Sequence, residues 1–193
     1  MEYLIRAIRA DEWAAVKELR LAALRDPVAH LAFLETYEEA SAKPEAFWRD
    51  RAAGAAEGAS ERQQFIAEDT TASRAGADGG SAGRVWGGSV TVLVEEADAQ
   101  DPFGSIVGQD QGHLVGVFVR PEYRGSGMTG VLFDAALAWS WARGLERVRL
   151  FVHERNARAE AFYRKAGFVP TGLTTPVPGD PDSRELEYVI KRP

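Results

Sequence analysis

Apolar and polar positions alternate at the start of the chain: Tyr3, Ile5 and Ala7 fall on one side and Leu4, Arg6 and Ile8 on the other, the period-two pattern of a strand. From Trp13 the period lengthens. Trp13, Val16, Leu19, Ala23 and Leu24 recur at helical spacing, which predicts a helix from an N-cap at Asp11 to about Arg25. Asp26-Pro27 closes it, because proline disfavours helical geometry in the residue before it. A second helix is expected from Pro44 to Ala53, after the polar and acidic stretch ETYEEASAK. QQFIAED and VWGGSVTVLVEE read as strands. So does HLVGVFV, with Val115, Val117 and Val119 on one face and Leu114 and Phe118 on the other. MTGVLFDAALAWSWARG carries helical stripes and places Gly144 at a C-terminal cap. RVRLFVHE alternates as a strand, Asn156 caps a helix ARAEAFYRKA that stops at Gly167, and FVPTGL and RELEYVIKRP are the closing strands. Residues 54–62 and 70–84 are too small and polar to bury a core and are expected as flexible loops.

With 193 residues and 45% hydrophobic composition, the pattern predicts one domain spanning 1–193, of mixed α and β structure. A formal charge of −6 argues against bulk affinity for nucleic acid or an anionic membrane, both of which are bound by clustered Lys and Arg. No cysteine is present, so disulfides, thiolate catalysis and Cys-ligated zinc are excluded; three scattered histidines give no metal-ligand spacing, and no metal is expected. No apolar run reaches the length of a signal peptide or a bilayer span, so the expected location is the cytoplasm.

The stretch RPEYRGSGMTG, between a buried strand and a helix, sets three glycines in six positions. At such a junction successive backbone N–H groups converge on one point, and the helix dipole favours an anion there. The pattern is neither GxxxxGK[ST] nor GxGxxG, since the glycines are Gly125, Gly127 and Gly130. Pro121 lacks an N–H, so the strand is expected to splay from its neighbour at that end, freeing the backbone of Val117 to Val119 to pair with an extended amide-containing ligand. Phosphate at one end and amides along a strand describe coenzyme A. Arg143, Arg147, Arg149, Arg155, Arg158, Arg164 and Lys165 form a basic island that is expected to meet its 3′-phosphate end.

The two segments VRPEYRGSGMTGVLFDAALAWSWARG and RLFVHERNARAEAFYRKAGF, at this spacing, resemble the GNAT superfamily of N-acetyltransferases. The resemblance implies an α+β fold: a central, mostly antiparallel, twisted sheet of about six to seven strands, splayed at its middle and flanked by about four helices. It implies acetyl-CoA as co-substrate and an amine of a small molecule or peptide as acceptor. Val117, Phe118 and Val119 would then pair with pantetheine through their backbone. Arg124, Gly125, Ser126, Gly127, Met128, Thr129 and Gly130 would surround the pyrophosphate, where Thr129 departs from the small residue usual at its place. Asn156, Arg158 and Phe162 would complete the cofactor side.

On the same resemblance Tyr163 is the group that meets the leaving thiolate. Candidates for the base that deprotonates the amine are His113, Asp110, Glu35 and Glu38, and the acids near the acceptor side hint at a cationic amine. No cysteine and no GxSxG elbow are present, so transfer is expected to be direct, within a ternary complex. A non-catalytic acyl-CoA-binding module and a transferase of a longer acyl group are the competing readings, and monomer and homodimer both stay open.

Overall fold

A computed structural model of the chain describes residues 3–74, 83–101 and 103–193. The alternating segments become seven strands: β1 (Tyr3–Ala7), β2 (Arg62–Arg74), β3 (Gly83–Glu95), β4 (Gln111–Val119), β5 (Arg147–His153), β6 (Val169–Val177) and β7 (Asp180–Lys191). The segments of longer period become α1 (Trp13–Leu24), α2 (Tyr37–Ser41), α3 (Glu45–Ala53), α4 (Met128–Ala142) and α5 (Ala157–Lys165). The strands form one sheet in the order β1-β2-β3-β4-β5-β7-β6, antiparallel throughout except for the parallel pair β4 and β5. Pro170 and Pro176 are tolerated in β6 because it lies at an edge of the sheet.

Each face of the sheet buries its own core. On one, α1 and α3 cover Ile66, Trp86 and Phe118 with Val16, Leu19 and Trp48. On the other, α4 and α5 cover Phe65, Val90, Val92 and Leu150 with Leu132, Phe133 and Tyr163. Burying a side chain of this size contributes about 1.5–3 kcal/mol each, and α4 turns Met128, Leu132, Phe133, Ala136 and Ser140 inward to do so. The expected stripe through Trp139 and Arg143 lies to one side of that buried face.

Several local expectations change. Asp11 does not cap α1; a turn of 3₁₀ helix at Ala10–Glu12 precedes it, and Glu12 reaches back to the backbone N–H of Arg9 at 2.8 Å. The acidic stretch after Leu34 contains α2, which Thr36 and Glu39 close as a reciprocal capping box. Residues 54–62 are packed rather than loose: Ala55 and Ala56 are buried, Glu57 donates to Ile8 at 2.8 Å and Gln64 to Ala55 at 2.9 Å. Strand structure runs to Arg74 and resumes at Gly83, so the loop expected at 70–84 is replaced by strand at both its ends; its centre, 75–82, lies outside the described residues.

The largest departure is in β4. Thr91 pairs with Val115 and Ser89 with Phe118, so Val90 of β3 faces two residues of β4, Gly116 and Val117. This bulge requires the left-handed backbone of Gly116, φ +62°, a conformation that glycine adopts without steric cost. The extra residue inverts the alternation beyond it. Leu114 and Phe118, expected on one face, belong to opposite cores.

β4 and β5 pair at Gly112↔Val148 and His113↔Arg149 and at no later residue, so the sheet opens from Leu114 onward. The splay is therefore present but does not originate at Pro121, which begins a short 3₁₀ turn after β4 has paired with β3 as far as Val119. What closes the vertex is a buried polar cluster. Glu95 of β3 accepts from His113 Nδ1 at 2.8 Å and from Arg149 Nε and Nη2 at 2.7 and 2.9 Å, and Arg149 also reaches Asp101 and Glu187. Burial opposes ionisation of Glu95, but the hydrogen bonds from His113 and Arg149 outweigh it and hold the carboxyl down at about 2.

Glu95→Gln is expected to cost about 3 kcal/mol at pH 7 in denaturant unfolding, because it leaves the Arg149 charge buried with fewer partners. A folded-state value near 2 lies below the ordinary 4.5, so the contribution is complete above pH 4.5 and lost as pH falls toward 2. The gap between wild type and variant should close over that window; a gap independent of pH would overturn the assignment.

Candidate active site

The turn after β4 has the expected shape. Gly125 and Gly127 have φ of +79° and +86°, and Gly127 is the N-cap of α4. Among the described residues no acceptor meets the N–H groups of Gly125, Gly127 and Thr129, so these donors remain for an anion at the helix start. Gly130 lies inside α4, its N–H already bonded to Gly127 at 2.9 Å. Ser126 turns its hydroxyl back onto the Tyr123 carbonyl at 2.6 Å. Met128 is buried and fills the space left by the absent side chain of Gly87. Arg124 is not a free cation: its guanidinium pairs with Asp26 and donates to the Val119 carbonyl at 3.1 Å.

Beyond His113 the edge of β4 that faces β5 is not paired with that strand, which leaves the stretch Val117 to Val119 open on that side except for the Val119 carbonyl, taken by Arg124. Phe118 and Val119 point their side chains into the two cores, while Val117 is half-buried at the gap. Asn156 uses both ends of its amide: Oδ1 accepts from Ala159 at 3.3 Å as the cap of α5, and Nδ2 donates to Leu31 at 3.4 Å. Phe162 packs on Phe133 with ring centroids 5.3 Å apart. Arg158 is exposed.

The basic island does not assemble at one place. Arg149 is buried among carboxylates, Arg147 pairs with Glu187, Arg143 reaches Ala59 and lies over Trp139, Arg155 meets Asp180 and Ser183, and Arg164 pairs with Glu160. Sequence proximity on a strand and a helix sends these side chains in different directions.

A cleft of about 1080 Å³ opens on the sheet face that carries α1 and α3, toward the β5 and β7 side. Its floor is a row of strand residues: Gln64, Thr91, His113, Val115, His153 and Glu185. The segment from Ala29 to Glu38 forms one wall and Val177–Asp180 another. None of residues 124–130 lines it. The anion-binding turn and the cleft are thus separate, and Val117, Asn156 and Tyr163 at the gap belong to the cleft.

Tyr163 is 8% exposed, and its ring stacks on Phe133 at 5.8 Å. Its hydroxyl has no hydrogen-bond partner among the described residues; burial, and after it the charge of Glu185, push it well above the usual phenol range. Glu185 is the residue that the sequence pattern did not single out. It lies in β7 opposite His153, is 9% exposed, has no hydrogen bond or ion pair among the described residues, and burial pushes its carboxyl up to about 7. His153 accepts the Arg155 N–H at Nδ1, which leaves the ring proton on Nε2, and burial together with the Arg155 charge lowers its value. Strand alternation in RELEY puts Glu185 and Glu187 on one face, and that was the available signal; Glu187 is consumed by Arg149 and Arg147.

The four base candidates separate by their surroundings. His113 lines the cleft, but its Nδ1 is held by Glu95. Glu35 also lines it, bonded to Arg20 at 3.0 and 3.1 Å. Asp110 fastens the Ala97 N–H at 2.8 Å, and Glu38, an exposed residue of α2, lines the cleft at its wall. Among the described residues no cluster of His, Cys, Asp or Glu is arranged to hold a metal ion.

Comparison with known proteins places this geometry. The solved structures of Arabidopsis thaliana NAA60 with a bisubstrate analogue and of PaiA N-acetyltransferase from Thermoplasma acidophilum with coenzyme A share the fold, with TM-scores of 0.68 and 0.64 at 16% identity each. The first match covers all of both chains, the second 97% of this chain and 98% of the other. In sequence, the chain is 40% identical over 62 residues to mycothiol acetyltransferase of Beutenbergia cavernae, covering 32% of this chain and 21% of that one. It is 35% identical over 81 residues to the peptidyl-lysine N-acetyltransferase YjaB of Escherichia coli, covering 42% and 50%. The chain thus spans half or less of the curated relatives it matches. The acetyltransferase (GNAT) family model matches residues 13–168, most of the chain, and with the splayed sheet and the glycine turn in place the chain belongs to that family.

Proposed function

We propose that the protein transfers an acetyl group from acetyl-CoA directly to a primary amine within a ternary complex. The observation that carries this reading is the pair Tyr163 and Glu185, two buried groups without hydrogen-bond partners among the described residues, which both line the cleft. Acetyl-CoA would lie in the gap between β4 and β5, its pantetheine amides along the free edge of Val117–Val119 and its pyrophosphate on the N–H groups of the 124–130 turn. Thr129 is half-buried there, and its hydroxyl is available as a further donor. The amine enters from the cleft.

In this mechanism Glu185 takes one proton from the ammonium, and the freed nitrogen attacks the thioester carbonyl. The N–H of Val117 faces the oxyanion that forms. The C–S bond then breaks. A phenol raised as far as Tyr163 is a poor free acid, so it hydrogen-bonds the departing thiolate and passes its proton to sulfur as it takes the second proton from nitrogen. The products are the amide, CoA as thiol and protonated Glu185, which returns its proton to solvent. Glu185 is favoured over His113 and Glu35 because its carboxyl is not committed to another side chain among the described residues, and over Glu38 because it is buried where Glu38 is exposed.

Tyr163→Phe is expected to lower kcat by about 10²- to 10⁴-fold with acetyl-CoA binding retained, measured by steady-state turnover and calorimetry. Turnover at the wild-type rate would remove Tyr163 from the mechanism. For Glu185, the base form is the charged one, so kcat/KM of wild type should rise with pH through an inflection near 7, and Glu185→Gln should lose that limb. Stability runs the opposite way: a folded-state value of about 7, above the ordinary 4.5, stabilises fully below pH 4.5 and is lost as pH rises through 7. Glu185→Gln should therefore gain stability relative to wild type at pH 8 compared with pH 4, and an unchanged difference would count against an unpaired buried carboxyl.

A further inference from the structure

The cleft has a second chemical feature at the end away from Glu185. Arg20 of α1, Arg51 of α3 and Arg62 at the start of β2 all line it, and they come from three elements distant in sequence. The carboxylates of this wall are Glu35, bound to Arg20 through one oxygen, Oε2, and the exposed Glu38. Arg51 has no hydrogen bond or ion pair among the described residues. Its guanidinium is pulled below the usual range first by burial and then by Arg20, with Glu35 acting in the other direction and Arg62 adding to the repulsion. With Arg25, which also lines the cleft, four cations against two anions leave this end with a surplus of two positive charges in a chain of net charge −6. Crowding like charges in a half-buried place is unfavourable unless something of opposite sign completes it.

Arg20 and Arg51 also border a recess of only about 20 Å³, lined by Gln64, Ser89 and Thr91 and by apolar residues of α1, so it has room for about one water and an oxyanion between the guanidinium groups would sit at its mouth, in the cleft. That is the arrangement that receives a planar oxyanion, since each guanidinium presents a fork of donors. Coenzyme A does not account for it, because residues 124–130 lie outside the cleft. Of the acids in the helical region, Glu35 is held by Arg20 and Glu39 caps α2, which leaves the exposed Glu38 as a lone carboxylate on this wall, outnumbered by the arginines.

We infer that the acceptor is an amine that also carries a carboxylate, bound by Arg51 with Arg20 and Arg62. This deepens the acetyl-transfer reading and rests on it. The arginine end lies over β2 to β4 while Glu185 is in β7, beyond the opening between β4 and β5, so at least two strand spacings of about 4.8 Å, roughly 10 Å or more, separate the two ends. Amine and carboxylate are therefore several bonds apart, as in an ω-amino acid or the side-chain amine of a dibasic amino acid.

The test uses molecules that differ in the anionic group alone. In calorimetry the product analogue 6-acetamidohexanoate is expected to bind at least about tenfold tighter than N-hexylacetamide, the range of a charge-assisted hydrogen bond. Arg51→Gln should erase that preference, Arg51→Lys should restore part of it, and the thermal midpoint of Arg51→Gln should not fall, because a crowded cation has been removed. Turnover of 6-aminohexanoate against hexylamine should show the same discrimination in kcat/KM. Equal binding of the matched pair, or a preference that survives in Arg51→Gln, overturns the inference whatever the turnover. A phosphonate in place of the carboxylate that binds more than tenfold tighter also overturns it, in favour of a phosphate-bearing amine. A carboxylate preference without turnover of either amine supports the anion site and counts against acetyl transfer, so the two failures are distinguishable.

Discussion

Glu95 is the point on which the active region turns. It joins His113 and Arg149, the last pair that β4 and β5 make before they separate, and through Arg149 it is tied to Asp101 of the 96–110 loop and to Glu187 of β7. Buried ion clusters of this kind are costly to desolvate and add little net stability over an apolar replacement, so their value lies in fixing one arrangement. Here the arrangement is an angle. A parallel pair that continued past His113 would satisfy the backbone of Val115 to Val119 internally and leave no opening; the pairing ends at the cluster, three residues before the bulge at Gly116.

From that vertex the two sides of the opening acquire different chemistry. On the side of α4, the N–H groups of a glycine turn have no acceptor among the described residues and lie at the positive end of the helix dipole. On the side of α1 and α3, the strand floor carries His113, His153 and Glu185, with arginines at the far end. Tyr163, on a helix of the first side, lines the cleft of the second and feels the charge of Glu185 through the gap. A sheet that did not splay would keep these groups on opposite faces.

Much of this was legible in the residues. Period-two and helical spacing placed β1, α1, α3, α4, α5 and all of the later strands within a few positions, because burying one face of an element imposes its period on the sequence. Breakdowns have local causes. Thr36 and Glu39 hid α2 inside a stretch that reads as merely acidic, since a five-residue helix is held by its capping box rather than by an apolar stripe. One inserted residue at Gly116 reversed the faces of β4, which no alternation rule anticipates.

The sequence by itself determined the elements, the glycine turn and the Tyr163 block, because each depends on neighbours a few residues apart: a cap, a φ above zero, a helical face. Tertiary structure decided which charges are spent and which are free. Arg124 and Arg149 read alike as basic residues near a cofactor, yet one is paired with Asp26 and the other is enclosed by carboxylates. Glu185 and Arg51 read as ordinary surface charges, yet among the described residues both are without a hydrogen bond or ion pair, in one cleft. The energy of an ionisable group is set by its solvent exposure and by the charges around it, and those are properties of the assembled sheet.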